Sequence, residues 1–468
     1  GALRGGSGKT LLTTGLLAAW RAQGVTAVPF KKGPDYIDPA WLTRAAGKAC
    51  RNLDPHLMSE DTIRRAVGEH AGPGDVAVIE GNHGVLDGVG ATGEGSTAAL
   101  AKVLGAPVVL LVDCTRATRT VAAMVLGCQR VEPELRLAGV VLNRVGTRRQ
   151  DAAIRLAIEA TCGVPVLGSI PRVADLDLPE RHLGLLTPAE HGAVAGLVAR
   201  AASLIETHVD LGAVRAVAAG APPLEWTAEA TLRDAAAGAR VRVGVVRDRA
   251  FTFYYAENLE ALERLGAELV WIDALADGDL PPVDALYIGG GYPETHARAL
   301  AANGALRGAI LRRVDGGLPV IAECGGLIYL GDAYVVDGVA HPMVGVFPVT
   351  FELGDRPLGH GYTAVTVERP NAFFAAGTVL RGHEFRYSRP RATDERALSY
   401  AFRMTRGYGF DGAHDGLVRD NVLASFCHFH AGGAPDWADA VVRAARAYRA
   451  RRAEDPAAAL AAVAAGHD

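Results

Sequence analysis

Paired cysteines are missing from this chain. Six cysteines are scattered at positions 50, 114, 128, 162, 324 and 427, without a CxxC spacing among them. That spread fits neither a zinc ribbon nor a disulfide scaffold, and it points to a reducing cytoplasm. Long apolar runs are missing too. The longest, Ala106 to Val112, falls far short of the ~20 residues a membrane helix needs. No stretch reads as a signal peptide, so no membrane partner is expected. Charge of one sign is scarce: 48 Lys+Arg against 52 Asp+Glu leaves −4. No basic excess marks a nucleic-acid partner, and no acidic run marks a tail. Internal repeats are absent. The 56 glycines follow no collagen period and gather in short loops. A hydrophobic share of 49% excludes a chain too polar to bury a core.

What is present is a rhythm of short β-branched runs and amphipathic stretches. The runs at 76–79, 107–112 and 139–142 are continuous, as in strands buried on both faces of a parallel sheet. Helical segments at 11–23 and 118–130 lie between them, which predicts an open α/β sheet. The first residues already read as a loop, so a short strand is expected ahead of Gly1. A first domain over 1–195 is followed by a linker over 196–240, rich in Ala, Gly and Pro after an initial helix. A second α/β series starts at Val241 and continues through 285–288 and 318–322, with antiparallel hairpins after Tyr334. That domain is expected over 241–450, and a surface helix that frays over 451–468.

Two groups of residues carry chemistry. Gly6, Ser7, Gly8, Lys9 and Thr10 open the first helix. Small residues there let backbone N–H groups converge on the phosphates of ATP, Lys9 reaches the β/γ-phosphates, and the Thr10 hydroxyl ligates Mg²⁺. Leu3 stands where the strict phosphate-loop pattern has Gly. Glu80 ends the strand at 76–79, on the side where parallel sheets bind ligands, and is placed to hold the metal; the plainer alternative is a loop-capping carboxylate. Asp113 has the same placement, with a helix-capping role near Thr115 as its alternative. The loop Lys31-Lys32-Gly33-Pro34-Asp35-Tyr36-Ile37-Asp38-Pro39 could clamp an anionic substrate while Asp35 and Asp38 approach the metal, or be a solvated turn.

In the second half, Cys324 follows a strand and precedes two glycines. A cysteine at a sharp strand-to-helix turn is a candidate nucleophile; its plainer alternative is a buried small hydrophobe. It needs a base, and His428 and His430 lie on one face of a short strand. Gly290 and Gly291, after another strand, could supply oxyanion N–H groups. The other five cysteines read as structural, with Cys427 pointing away from the histidines.

In this order the motifs resemble the cobyrinic or hydrogenobyrinic acid a,c-diamide synthases of corrinoid biosynthesis. The resemblance rests on GSGKT (6–10), KKGPDYIDP (31–39), VIEGNHGVLDG (78–88), LNRVG (142–146) and LPERHLGL (178–185). It continues through RDRAFTFYYAENLEALE (247–263), YIGGGYPE (287–294), AECGGLIYL (322–330), GHEFRYS (382–388) and ASFCHFH (424–430). It implies a P-loop NTPase domain like dethiobiotin synthetase and a class I-type glutamine amidotransferase domain. Glutamine would be hydrolysed at Cys324 with His428, the position matching the family's shared histidine, and His430 as runner-up. Ammonia would then amidate two carboxylates of a corrinoid substrate through acyl phosphates made from ATP. Asp35, Tyr36 and Asp38 would meet the substrate and phosphates, with Glu80 and Asp87 near the metal. No acid follows the histidine, which implies a Cys–His pair without a third member. Asn82-His83 departs from the family pattern, and His83 is expected to pack. A homodimer is compatible with the resemblance. Two alternatives stay open: a cobyric acid synthase acting on other side chains, and a partition-type P-loop switch carrying a relic amidotransferase.

Overall fold

The computed structural model describes residues 1–173, 180–181, 184–185, 188, 194–228 and 240–454. Half of the 178–185 motif, residues 229–239 of the expected linker and the tail beyond 454 lie outside the described residues. The chain divides into two compact units, Gly1–Glu229 and Ala230–Asp468.

The first unit runs α1 (Lys9–Ala22), β1 (Ala27–Lys32), α2 (Ile37–Ala46), β2 (Arg51–Leu53), α3 (Glu60–His70), β3 (Val76–Glu80), α4 (Thr97–Leu104) and β4 (Val108–Asp113). It continues with α5 (Thr120–Val131), β5 (Leu137–Val145), α6 (Arg148–Cys162), β6 (Val166–Pro171), the short β7 (Glu180–Arg181) and β8 (Gly184–Leu185), α7 (Val194–His208) and α8 (Leu211–Ala219). The expected single open sheet is instead two parallel three-stranded sheets, β2-β1-β3 and β4-β5-β6. A largely apolar cavity of about 930 Å³ lies between β3 and β4, lined by Leu12, Leu16, Val78, Leu100 and Leu111 among others. Ala2 runs parallel to β4 through a bridge to Leu111.

The helices start where local chemistry says they should. Ser59, Ser96 and Thr147 each accept a backbone N–H of their helix's first turn, satisfying donors that have no intrahelical partner.

The helix expected at the start of the linker span is present, and a second one follows it. Residues 194–219 form α7 and α8, and α7 packs on α1. Leu197, Ala201 and Ile205 are buried at four-residue spacing, one stripe of a helix. The contact is close because α1 has Gly15 there: a Cβ would stand 2.4 Å from Ile205 Cγ1 and 2.5 Å from the Ala201 carbonyl oxygen. Further on, the Arg136 guanidinium donates to the Gly220 carbonyl at 2.7 Å, and the Trp226 ring covers Gly68 on α3. The first unit therefore holds on to the chain well past residue 195.

The second unit contains β9 (Val241–Val246), α9 (Ala256–Arg264), β10 (Ala267–Ile272), β11 (Ala285–Ile288), α10 (Pro293–Ala302), α11 (Gly304–Asp315), β12 (Val320–Glu323) and α12 (Gly325–Tyr329). Then come β13 (Gly331–Val336), β14 (Val339–Pro342), β15 (Phe347–Leu353), β16 (Gly359–Val367), β17 (Val379–Arg386), β18 (Ser388–Ala392), β19 (Tyr400–Arg406), β20 (His414–Arg419), β21 (Val422–Ser425), β22 (His428–Phe429) and α13 (Asp436–Glu454). A ten-stranded sheet has the order β10-β9-β11-β12-β21-β20-β19-β16-β17-β22. Its first five strands are parallel, and the rest antiparallel, as the hairpin pattern after Tyr334 predicts. A smaller sheet, β14-β13-β15-β18, packs beside it. Central strands β11, β12 and β21 are buried throughout. Helix α13 continues past the expected boundary at 450 and buries Trp437. No described helix is long and apolar enough to cross a membrane.

Two candidate active sites

The first site gathers at the ends of β1 and β3. Gly8 precedes α1 with φ of 95°, a conformation that costs glycine nothing and any other residue strain. A Cβ there would also meet Asn143 Nδ2 at 2.6 Å. That amide donates to the Ser7 carbonyl at 2.8 Å and ties the loop to β5. Lys9 Nζ donates to the carbonyls of His83 (2.8 Å) and Arg4 (3.2 Å), folded across its own loop. Thr10 Oγ1 donates to Glu80 Oε1 at 3.0 Å.

Lys31 is buried among carboxylates. Its Nζ donates to Glu80 Oε1 at 2.6 Å and to Asp38, with Asp35 Oδ2 at 3.8 Å. Burial opposes its charge, but Asp38, Glu80 and Asp35 outweigh it and raise its pKa. Burial pushes the Glu80 carboxyl up, and its Oε2 is buried with no partner among the described residues. Burial and the neighbouring Asp38 raise Asp35 to about 7. Asp35 Oδ1 accepts from the N–H groups of Ile37 (2.9 Å) and Asp38 (3.1 Å), so the loop is held rather than solvated. Tyr36 immediately precedes α2. Asp87 is exposed and braces the next loop, accepting from the Gly84 N–H at 2.8 Å.

Two expectations are corrected here. Asp113 accepts from Thr115 N and Oγ1, Arg4 and Arg144, so all its capacity goes to bracing the loops. Burial opposes its charge, but those hydrogen bonds hold its pKa well below the usual carboxylate range. His83 does not pack: it is exposed with φ of 48°, and its carbonyl is what meets Lys9.

The second site is built where β12 ends. Cys324 has φ 50° and ψ −98°, a strained turn of the kind that holds nucleophiles out of a strand. Its N–H donates to the Ser425 carbonyl of the adjacent parallel strand at 2.7 Å. That pairing brings the 424–430 segment alongside. Cys324 is buried, 7% exposed, and hydrogen-bonds His428.

The His428 ring lies over Gly290, where a Cβ would meet Cε1 at 2.7 Å. Burial lowers the pKa of His428, but hydrogen bonds to Cys324 and Glu323 outweigh it and hold the imidazole up at about 9. His430 faces elsewhere. Its Nε2 is 3.5 Å from Glu257 Oε1, its Nδ1 accepts from the Gly432 N–H, and its ring packs against Tyr255. Gly290 and Gly291 lie beside the turn after Cys324: a Cβ on Gly325 would sit 3.2 Å from the Gly291 nitrogen. Cys427 is buried on another side, bonded to Asp415 through its N–H at 3.2 Å, and burial raises its thiol.

Known proteins match this chain along nearly its whole length. The family described as CobQ/CobB/MinD/ParA nucleotide binding domain matches residues 2–186, and the CobB/CobQ-like glutamine amidotransferase domain matches 242–435. A cobyrinate a,c-diamide synthase of Magnetococcus marinus is 42% identical over 94% of this chain and 95% of its own. Relatives of the same name from Archaeoglobus fulgidus (40%, over 90% and 92%) and Methanothermobacter thermautotrophicus (39%, over 92% and 95%) agree. The chain belongs to the cobyrinate a,c-diamide synthase family.

For this member of the cobyrinate a,c-diamide synthase family, the sequence missed three groups that shape the sites. Asn143 ties down the phosphate loop. His383, opposite His428 in the β17–β22 pair, stacks on its ring at 4.9 Å. Burial, then the neighbouring His428 and His430, hold His383 well below its ordinary pKa and keep it neutral. The third group is Glu323, which stands behind His428 although the sequence shows no acid after the histidine. The antiparallel pattern of GHEFRYS could have flagged His383 as facing a neighbouring strand. Nothing local signals Asn143 or Glu323.

Proposed function

We propose that this chain amidates the a- and c-carboxylates of cobyrinic or hydrogenobyrinic acid with ATP and glutamine, through acyl phosphates. The observation that carries the reading is that one polypeptide holds both a Cys324–His428 pair and a phosphate loop whose Thr10 meets Glu80. Two active centres of that kind suit a carboxylate, which is a poor electrophile until phosphorylation gives it a leaving group.

At the second site the Cys324 sulfur attacks the glutamine carboxamide carbon, and the Gly290 and Gly291 N–H groups receive the oxyanion. Cys324 and His428 share one proton, which His428 delivers to the departing nitrogen as the sulfur attacks. Ammonia leaves, and water hydrolyses the thioester to glutamate. At the first site Lys9 swings from the Arg4 and His83 carbonyls onto the β/γ-phosphates, and the N–H groups of residues 6–10 cradle them. The corrinoid carboxylate takes the γ-phosphoryl group, ammonia attacks the acyl carbon, and phosphate leaves. Asp35, Tyr36 and Asp87 border the substrate. Burial and Asp38 raise the Asp35 carboxyl, so it repels an incoming carboxylate less.

The orphaned Glu80 Oε2, beside Thr10 Oγ1 and Asp38, offers hard oxygen donors of the kind a magnesium ion would take. Among the described residues no cluster of three His, Cys, Asp or Glu forms a complete cage. Thr10, Glu80 and Asp38 would hold such an ion, which would neutralise charge on the phosphates.

The test is a division of labour. Purified protein is given the corrinoid acid, ATP and either glutamine or ammonium. Cys324→Ala is expected to lose glutamine-driven synthesis and keep ammonia-driven synthesis. Glutamine-driven synthesis at wild-type rate in that variant would refute the nucleophile. Formation only of a product amidated at other side chains would favour the cobyric acid synthase alternative.

A further inference from the structure

Behind His428 stands a carboxylate whose position in the chain departs from the arrangement expected of a hydrolytic triad. His428 Nδ1 faces Glu323 Oε2 at 3.4 Å, and the two side chains are 3% and 1% exposed. Glu323 is the residue just before the nucleophile. It is held from two further sides: Tyr287 donates its hydroxyl proton to Oε2 at 3.2 Å, and the Phe429 N–H donates to Oε1 at 3.4 Å. The second of these bonds comes from the histidine's own strand.

The backbone explains how one dipeptide supplies two functions. Strand β12 is parallel to β21, with Glu323 in register with Ser425. Glu323 ends the strand in extended conformation, and Cys324 then turns to φ 50°. That turn lets consecutive side chains reach one imidazole: Cys324 and Glu323 both hydrogen-bond His428, Glu323 at Nδ1. His383 stacks on the ring face and closes off rotation. A buried carboxylate with three donors around it, one of them the catalytic base, sits where an orienting acid must sit.

We infer that Glu323 is the positioning residue of the glutamine-hydrolysing site, fixing the His428 ring so that its other nitrogen serves Cys324. This rests on the assignment of Cys324 as nucleophile. A purely structural Glu323 would only anchor Tyr287 and the Phe429 backbone. Its loss would lower stability and leave the turnover of folded protein unchanged.

The experiment uses the full chain with Glu323→Gln and Glu323→Asp, and Cys324→Ala alongside. Glutamine hydrolysis is measured as separate kcat and KM, and ammonia-driven synthesis serves as the internal reference. In Glu323→Gln the expected kcat for glutamine falls by about 10²–10⁴-fold, with KM within about twofold and ammonia-driven synthesis unchanged. Glu323→Asp keeps the charge and should lie between Gln and wild type, with the same unchanged KM. Wild-type kcat in either folded variant, or a loss confined to KM, overturns the inference. If Cys324→Ala still hydrolyses glutamine, the nucleophile assignment fails instead, and the two failures are told apart.

Discussion

At the scale of single residues, Gly290 is as constrained as any group in the second site. The ring of His428 occupies the space a side chain would need. Gly290→Ala should push the base off Cys324 and cut glutamine hydrolysis at least about tenfold, while ammonia-driven synthesis persists. Equal hydrolysis in that variant would show that the ring has room to spare. His428 also makes a prediction about pH. Its pKa is raised from 6.5 to about 9 in the folded protein, so protonation favours folding. Its contribution is fully present below pH 6.5 and is lost as pH rises through 9. Urea unfolding of the second domain should therefore show a midpoint that falls across that window, and His428→Gln should flatten the fall. The closeness of Cys324 to His428 and the glycine turn ahead of α1 follow from short local motifs. Glu323 was not legible, because an orienting acid is ordinarily expected just after the histidine. The acid lies 105 residues earlier, and only the β12–β21 pairing brings it there.

At the scale of elements, the two helices after residue 194 fall within the first unit. Alanine-rich sequence reads as linker because each alanine buries little surface. The stripe of Leu197, Ala201 and Ile205 finds its partner only where Gly15 lets α1 come close. Gly15→Ala should force the helices apart and destabilise the first domain by about 1–3 kcal/mol, read as a lower urea midpoint at unchanged slope. An unchanged midpoint would mean the contact yields without cost. The link between β5 and the phosphate loop is testable in the same way. Asn143→Ala removes the bond to the Ser7 carbonyl. It should raise the KM for ATP several-fold, on the order of 1 kcal/mol, equally with glutamine or ammonium as nitrogen source. A KM that rises with only one source would place Asn143 in ammonia transfer instead. The strand positions were legible from continuous apolar runs. The split into two three-stranded sheets was not, since it depends on which edges meet.

At the scale of the whole molecule, the two proposed chemistries depend on each other in one direction only. Nitrogen made at Cys324 is useless without an energised carboxylate, whereas the phosphate site works with ammonia from solution. Lys9→Ala should therefore abolish synthesis from both nitrogen sources, in contrast to the selective loss in Cys324→Ala. The domain order was legible from the sequence of motifs. The choice of corrinoid acid was not, because no residue pattern reports whether the ring carries a metal. The central claim is tested most directly by following the nitrogen itself. The protein is given cobyrinic or hydrogenobyrinic acid, ATP and glutamine labelled with ¹⁵N in its side-chain amide, and the product is read by mass spectrometry and NMR. The account predicts two labelled carboxamides, at side chains a and c, formed together with ADP and phosphate. ATP hydrolysis without incorporation of label, or label at other side chains alone, would contradict it.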